Sequence, residues 1–308
     1  MAGIASRYGI ALFLGLAACA PSPAKSPPLQ TVAAADTAPT TPEPSPTTPV
    51  DGLAALRRIA AQSQCARHRW DHGRGVAPTS YVEGVTLVFV RAVCHPDRAE
   101  VQAVSAPAAT GPGADDALAV YAARFKAAGM TNDRAGVDTL RHAYVLLIGL
   151  GMMESSGRYC EGRDVSECFT TADSAEAGPF QTSYGARRQS PALQPLIERY
   201  STDPGGCLLD TFRGNITCRI VKSHDPECPD ATSDVAGTGP GADWQRLTKI
   251  CPAFATEYAA VVLRTHGGPK GEFNPIRKQQ AELLPECDDM LKTAQVYVAQ
   301  HREVCSAL

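Results

Sequence analysis

One glutamate stands where a carboxyl group could do acid–base chemistry. The run Gly149-Leu150-Gly151-Met152-Met153-Glu154-Ser155-Ser156-Gly157 carries an apolar stretch up to Glu154 and stops on Ser-Ser-Gly. From Ala143 to Met153 no side chain is charged. A carboxyl group at the end of such a stretch loses water, and its pKa rises. Kept protonated near neutral pH, it can serve as a general acid. A second polar cluster follows a loop: Gly178-Pro179-Phe180-Gln181-Thr182-Ser183-Tyr184. Other chemistries fit the chain less well. There is no G-x-S-x-G elbow and no H-E-x-x-H pair, and the seven histidines are scattered. His142 reads as a core or capping histidine. No metal site and no cofactor are expected.

The elements that must position these groups are mainly helical. Val137, Leu140, Tyr144 and Leu147 keep helical spacing, so the stretch before Glu154 reads as a helix buried on all sides, with Asp138 as its cap. It is shorter than the roughly 20 apolar residues that span a bilayer. Further helices are expected over Gly52–Gln64, Tyr81–Val93, Asp116–Ala128, Pro191–Tyr200, Trp244–Arg264 and Leu283–Val304. Trp70 to Pro78 is a turn-rich loop. Its Trp70 and His72 could line a sugar cleft, a packing role for Trp70 being the alternative. Thr110-Gly111-Pro112-Gly113-Ala114-Asp115 recurs as Thr238-Gly239-Pro240-Gly241-Ala242-Asp243, and both copies read as helix starts. Alternating strands are scarce, so the expected fold is mostly α with room for a small β-hairpin.

Order and context now carry a resemblance. A helix ending in Glu154-Ser155-Ser156, a loop, and then Ala177-Gly178-Pro179-Phe180-Gln181 resemble the lysozyme-like superfamily, in particular its soluble lytic transglycosylase type. The likeness covers roughly residues 137–190. It places Glu154 on that family's catalytic acid/base and Ser155 on the serine beside it, orienting the carboxyl group. Gly178 and Gln181 fall on the glycine and glutamine of the second motif. Pro179-Phe180 departs from the family's Leu-Met, and Arg264-Thr265-His266-Gly267-Gly268 is a poor counterpart of its later Asn-Ala-Gly motif.

The resemblance implies a peptidoglycan-cleaving glycan lyase in which a single glutamate protonates the glycosidic oxygen and then deprotonates the sugar's own hydroxyl. Gly178, Phe180, Gln181 and Tyr184 would contact the sugar. The runner-up is a lysozyme- or chitosanase-like hydrolase that needs a second carboxylate to activate water. Among Glu161, Asp164, Glu167, Asp173 and Glu176, Asp173 is the preferred second carboxylate and Glu176 the next. A third reading keeps the shape without the chemistry, as an envelope protein that binds glycan.

The start of the chain reads as a leader. Arg7, the apolar run Ile10 to Ala18 and then Cys19 have the order of an export signal. Leu16-Ala17-Ala18-Cys19 resembles the lipobox of bacterial lipoproteins, which implies lipidation at Cys19, and Ala20 favours the periplasmic face of the outer membrane. Residues 1–18 are thus expected to be a signal peptide. Residues 19–50, rich in Ala, Pro and Thr, are expected to be a disordered tether.

Residues 51–308 then form one large domain, expected to act as a monomer. Of the whole chain 44% is hydrophobic, enough for a substantial core, and its net charge of −3 leaves no basic footprint for nucleic acid. Apart from Cys19, the cysteines are Cys65, Cys94, Cys160, Cys168, Cys207, Cys218, Cys228, Cys251, Cys287 and Cys305. An even number in an exported chain predicts disulfides. Short separations suggest Cys160–Cys168 and Cys65–Cys94, and residues 201–241 read as a disulfide-held excursion.

Overall fold

Helical runs punctuated by proline and glycine set the architecture. The computed structural model describes residues 48–111, 114–164, 168, 171–218 and 233–308. The expected signal peptide and lipidation residue Cys19, most of the expected tether, Pro112, Gly113, Glu167 and Cys228 lie outside the described residues. The helices are α1 (Pro49–Gln62), α2 (Thr79–Cys94), α3 (Ala99–Ser105), α4 (Ala117–Val120), α5 (Ala122–Ala127) and α6 (Val137–Ser155). They continue with α7 (Leu193–Thr202), α8 (Leu209–Arg213), α9 (Pro240–Ile250), α10 (Pro252–Thr265), α11 (Asn274–Arg277) and α12 (Pro285–Gln300). Strands β1 (Arg69–Trp70) and β2 (Gly75–Val76) form one antiparallel hairpin, β3 (Glu176–Ala177) and β4 (Thr182–Ser183) another. The fold is mostly α. No helix among the described residues is long and apolar enough to cross a membrane.

α6 is the central element. It is buried from Thr139 to Met153 and packs against α2, α3, α10, α11 and α12. A helix apolar on every side is stable only when other elements cover every side. Two glycines let those neighbours close in: a Cβ at Gly149 would run into the Glu282 carbonyl oxygen, and one at Gly151 into the Tyr81 hydroxyl. Tyr81 donates that hydroxyl to the Ile148 carbonyl at 3.0 Å. Asp138 is not the cap of α6. Gly136 (φ 139°) precedes the helix, and the Asp138 carboxylate instead accepts from Arg141, one turn on, at 2.6 Å.

Several boundaries move for local reasons. α1 begins at Pro49, because Thr48 accepts from the Asp51 amide and proline suits the first helical turn. The expected helix Trp244–Arg264 is two: Pro252 cannot donate to the preceding turn, so α9 ends and α10 starts there. The run from Asp116 likewise divides at Tyr121 into α4 and α5, with Asp116 capping the first.

The disulfides differ from the short-range pairing. Cys65 is joined to Cys287 and Cys94 to Cys305, across sequence separations of 222 and 211 residues. Cys160 pairs with Cys218 and Cys207 with Cys251. Neither Cys65–Cys94 nor Cys160–Cys168 exists, although Cys168 is itself disulfide-bonded. The reason is the topology: α1 and α2 lie against α12 and the final turn, so the nearest thiols in space are the distant ones in sequence.

Buried ion pairs complete the interior. Arg91 and Arg199 share Glu257, at 2.8 and 3.0 Å, between α2, α7 and α10. Arg264 holds Asp116 at 2.9 Å and also donates to the carbonyls of Val104, Ala106 and Pro107. Taking one partner away from such a pair would leave an uncompensated buried charge.

Candidate active site

Glu154 occupies the last turn of α6. The helix stops because Ser156 (φ 54°) and Gly157 (φ 73°) take left-handed backbone, and their amides donate to the Met152 and Gly151 carbonyls at 3.0 and 3.2 Å. Glu154 is half-buried, its side chain makes no hydrogen bond or ion pair with the described residues, and its carboxyl oxygens are not among the side-chain atoms sealed from solvent. Loss of water by burial pushes its pKa up to about 8. Three charges modify that shift: Arg74 pulls it down, Asp164 pushes it up, and Arg277 pulls it down. A neutral carboxyl group that still reaches solvent is what a general acid requires at neutral pH.

Each modifying charge arrives on a different element. Arg74 closes the turn of the β1–β2 hairpin, its amide donating to the Asp71 carbonyl at 3.1 Å. Asp164 follows α6 and is tied to the second hairpin, since its amide donates to the Glu176 carbonyl at 2.7 Å and Arg163 bridges to Ala177. Arg277 ends α11 and donates to the carbonyls of Gly271 and Glu272. The Glu272 carboxylate accepts from the Ser183 amide at 2.7 Å, and Tyr258 of α10 donates to the Ser183 carbonyl at 2.9 Å. The β3–β4 hairpin is therefore linked to the surroundings of Glu154 on two sides, through Asp164 and through Glu272 beside Arg277.

The second motif builds this hairpin rather than offering side chains to a ligand. Gly178 (φ 81°) turns the chain where a Cβ would press on Thr248 of α9 at 2.9 Å. Phe180 is 1% exposed and lies against Tyr81 and Gly151, so it anchors the hairpin to the core. Gln181, in left-handed backbone (φ 45°), spends its amide NH2 on the carbonyls of Gly178 (2.7 Å) and Gly162 (3.1 Å). Ser155 does not orient Glu154: its hydroxyl donates to the Gly151 carbonyl at 3.1 Å. Of the expected sugar contacts only Tyr184 stays partly exposed, and the Arg187 guanidinium stacks on its ring at 3.7 Å.

Asp173 is held apart from Glu154. Its carboxylate faces Arg187 at 3.5 Å and Arg188 at 3.7 Å, and it is not among the charges that act on Glu154. It lines an open groove of about 520 Å³ beside the β3–β4 hairpin, together with Glu176, Ser183, Arg188 and Glu272. The carboxylate that does act on Glu154 is Asp164. Trp70 is 3% exposed, edge-on to His68, so its role is packing and not cleft lining. His142 is buried against Asn132 (2.7 Å) and Phe125. His266, in the weak third motif, pairs with Asp115 at 2.9 Å.

Sequence reasoning missed Arg74 and Arg277. The signal for Arg74 was its place in a glycine-flanked turn next to a tryptophan. Arg277 had none, because only the fold brings α11 to the end of α6. Among the described residues no group of three His, Cys, Asp or Glu side chains converges as a metal site would. Comparison with family models, with curated proteins and with solved structures found no match to this chain.

Proposed function

We propose that this chain is an exported, lipid-anchored glycan lyase acting on peptidoglycan, with Glu154 as its one acid/base. The observation that carries the reading is the state of Glu154: half-buried, unpartnered, open to solvent and protonated at neutral pH. Glu154 gives its proton to the glycosidic oxygen as the bond from the anomeric carbon to that oxygen breaks. The carboxylate left behind stabilises the oxocarbenium-like carbon. A hydroxyl of the same sugar then attacks that carbon and returns its proton to Glu154, leaving an anhydro end and the enzyme as it began. The purified full chain should release soluble muropeptides from isolated cell wall, whereas Glu154→Gln should release none. Equal release by the two proteins would remove Glu154 as the catalyst.

A hydrolase is the second reading, favoured by the presence of Asp164 among the charges that act on Glu154. A carboxylate there could direct a water to the anomeric carbon, giving a reducing end instead of the anhydro sugar. Mass spectrometry of the first products separates the two. A lyase gives anhydro ends and tolerates both Asp164→Asn and Asp173→Asn. A hydrolase gives reducing ends and loses activity in Asp164→Asn. Lipid attachment at Cys19 is tested separately: Cys19→Ala should release the chain from membranes, and continued membrane association would reject the anchor.

A further inference from the structure

Arg74 is placed by a chain of contacts that leads to Glu154. Left-handed backbone at His72 (φ 54°) and Gly73 (φ 73°) sharpens the β1–β2 turn just before it. Glu282 pins the hairpin, its carboxylate accepting from the Asp71 amide at 2.5 Å and meeting His68 at 3.1 Å. The carbonyl of the same Glu282 lies on Gly149, within α6 and five residues before Glu154. The hairpin is thus fastened to the helix that ends in the candidate acid, and Arg74 is first among the charges acting on Glu154.

The guanidinium itself is unanswered. Arg91, Arg141 and Arg264, which are buried, each hold a carboxylate within 3 Å. Arg74 is half-buried and holds none, and no side-chain hydrogen bond to it exists among the described residues. Its Nε is one of three buried side-chain polar atoms there without a partner, the other two being the indole nitrogens of Trp70 and Trp244. Glu154 does not neutralise it at pH 7, because Glu154 is protonated there. A guanidinium in this state, with its terminal nitrogens facing solvent, matches a carboxylate geometrically and electrostatically.

We propose that Arg74 binds a carboxylate borne by the glycan, which makes the substrate an acidic amino-sugar polymer and not a neutral one. The inference rests on the proposed glycan cleavage at Glu154. Such a carboxylate has two sources in cell wall, the lactyl group of a sugar stripped of its peptide and the peptide stem itself.

The test uses the full chain and three probes: peptide-free glycan strands, the same strands with their carboxylates reduced to alcohols, and strands that keep their peptides. Binding is measured with Glu154→Gln, which cannot turn the strands over, and cleavage with the wild type. Peptide-free strands should bind about tenfold tighter than reduced ones, the size of one charge-assisted hydrogen-bonded contact. Adding Arg74→Gln should erase that difference, and Arg74→Lys should restore part of it, which also controls for folding. A preference confined to peptide-bearing strands would assign the carboxylate to the stem.

Equal binding of all three kinds of strand, or a preference untouched by Arg74→Gln, overturns the role of Arg74. If the wild type nevertheless cleaves, the proposed function stands without it. Arg74-dependent binding with no cleavage by the wild type would keep the carboxylate site and reject the lyase. Neither binding nor cleavage rejects both.

Discussion

Ser155 donates its hydroxyl to the carbonyl oxygen of Gly151, 3.1 Å away and one turn back along α6. The serine beside the candidate acid is therefore occupied with its own helix, in the i−4 pattern common for buried serines. Ser155→Ala should keep glycan release within about threefold of wild type and change stability by less than about 1 kcal/mol, because the helix satisfies that carbonyl without it. A loss of two orders of magnitude in kcat, at unchanged fold, would show that the serine reaches Glu154 during turnover.

The pH dependence follows from the same carboxyl group. An acid with a pKa near 8 is protonated below that pH, so kcat should fall as pH rises through about 8. Arg74 lowers this pKa, and Arg74→Gln should move the alkaline limb upward. Asp164 raises it, and Asp164→Asn should move the limb downward. Opposite movements in the two variants, read from pH–rate profiles, test whether these charges face Glu154.

Stability carries the opposite face of that shift. The proton is held more tightly in the folded chain, near 8, than at the ordinary value of 4.5. Below about pH 4.5 both states keep it and Glu154 has no effect. As pH rises toward 8 the unfolded chain ionises and the folded chain does not, so folding weakens, and above about 8 the loss is complete. Glu154→Gln should accordingly raise the melting temperature at pH 8 and leave it nearly unchanged at pH 4. Thermal unfolding at the two pH values decides this, and a uniform gain at both would assign the effect to packing.

Phe180 separates anchoring from substrate contact. At 1% exposure against Tyr81 and Gly151, it belongs to the core. Phe180→Ala should cost about 3–5 kcal/mol of stability. Phe180→Leu should recover most of that together with activity. A change in KM alone, with the melting temperature preserved, would return Phe180 to the binding surface.

Cys65–Cys287 and Cys94–Cys305 are the long-range staples. Replacing Cys65 and Cys287 together by serine should cost about 2–5 kcal/mol. Denaturant unfolding without reductant measures it. Indifference of the midpoint to both changes would mean that the helical core alone fixes the two ends.

The parts of this fold that the sequence displayed are those written in local periodicity. The spacing of Val137, Leu140, Tyr144 and Leu147 located α6, and its apolar run predicted burial on every side. Glu154 was visible for the same reason, as the first carboxylate after that run. What stayed hidden depends on contacts between distant segments. Cysteine spacing gave Cys65–Cys94 and Cys160–Cys168, yet bridges follow spatial neighbours, and neither pair is adjacent in the fold. Gln181 looked free to meet a ligand because no local pattern shows an amide turned onto Gly162. Asp173 looked suitable as a second carboxylate, and only folding reveals that Arg187 and Arg188 claim it.

The two long-range bridges also impose an order of events on biosynthesis. Each early cysteine must wait for a partner made 222 or 211 residues later. Until then Cys65 and Cys94 remain reactive thiols beside other cysteines closer in sequence, so the nascent chain is exposed to wrong pairing for most of its synthesis. Once both are closed, a cut in any loop between Cys94 and Cys287 leaves two pieces still covalently joined, and only reduction lets them separate.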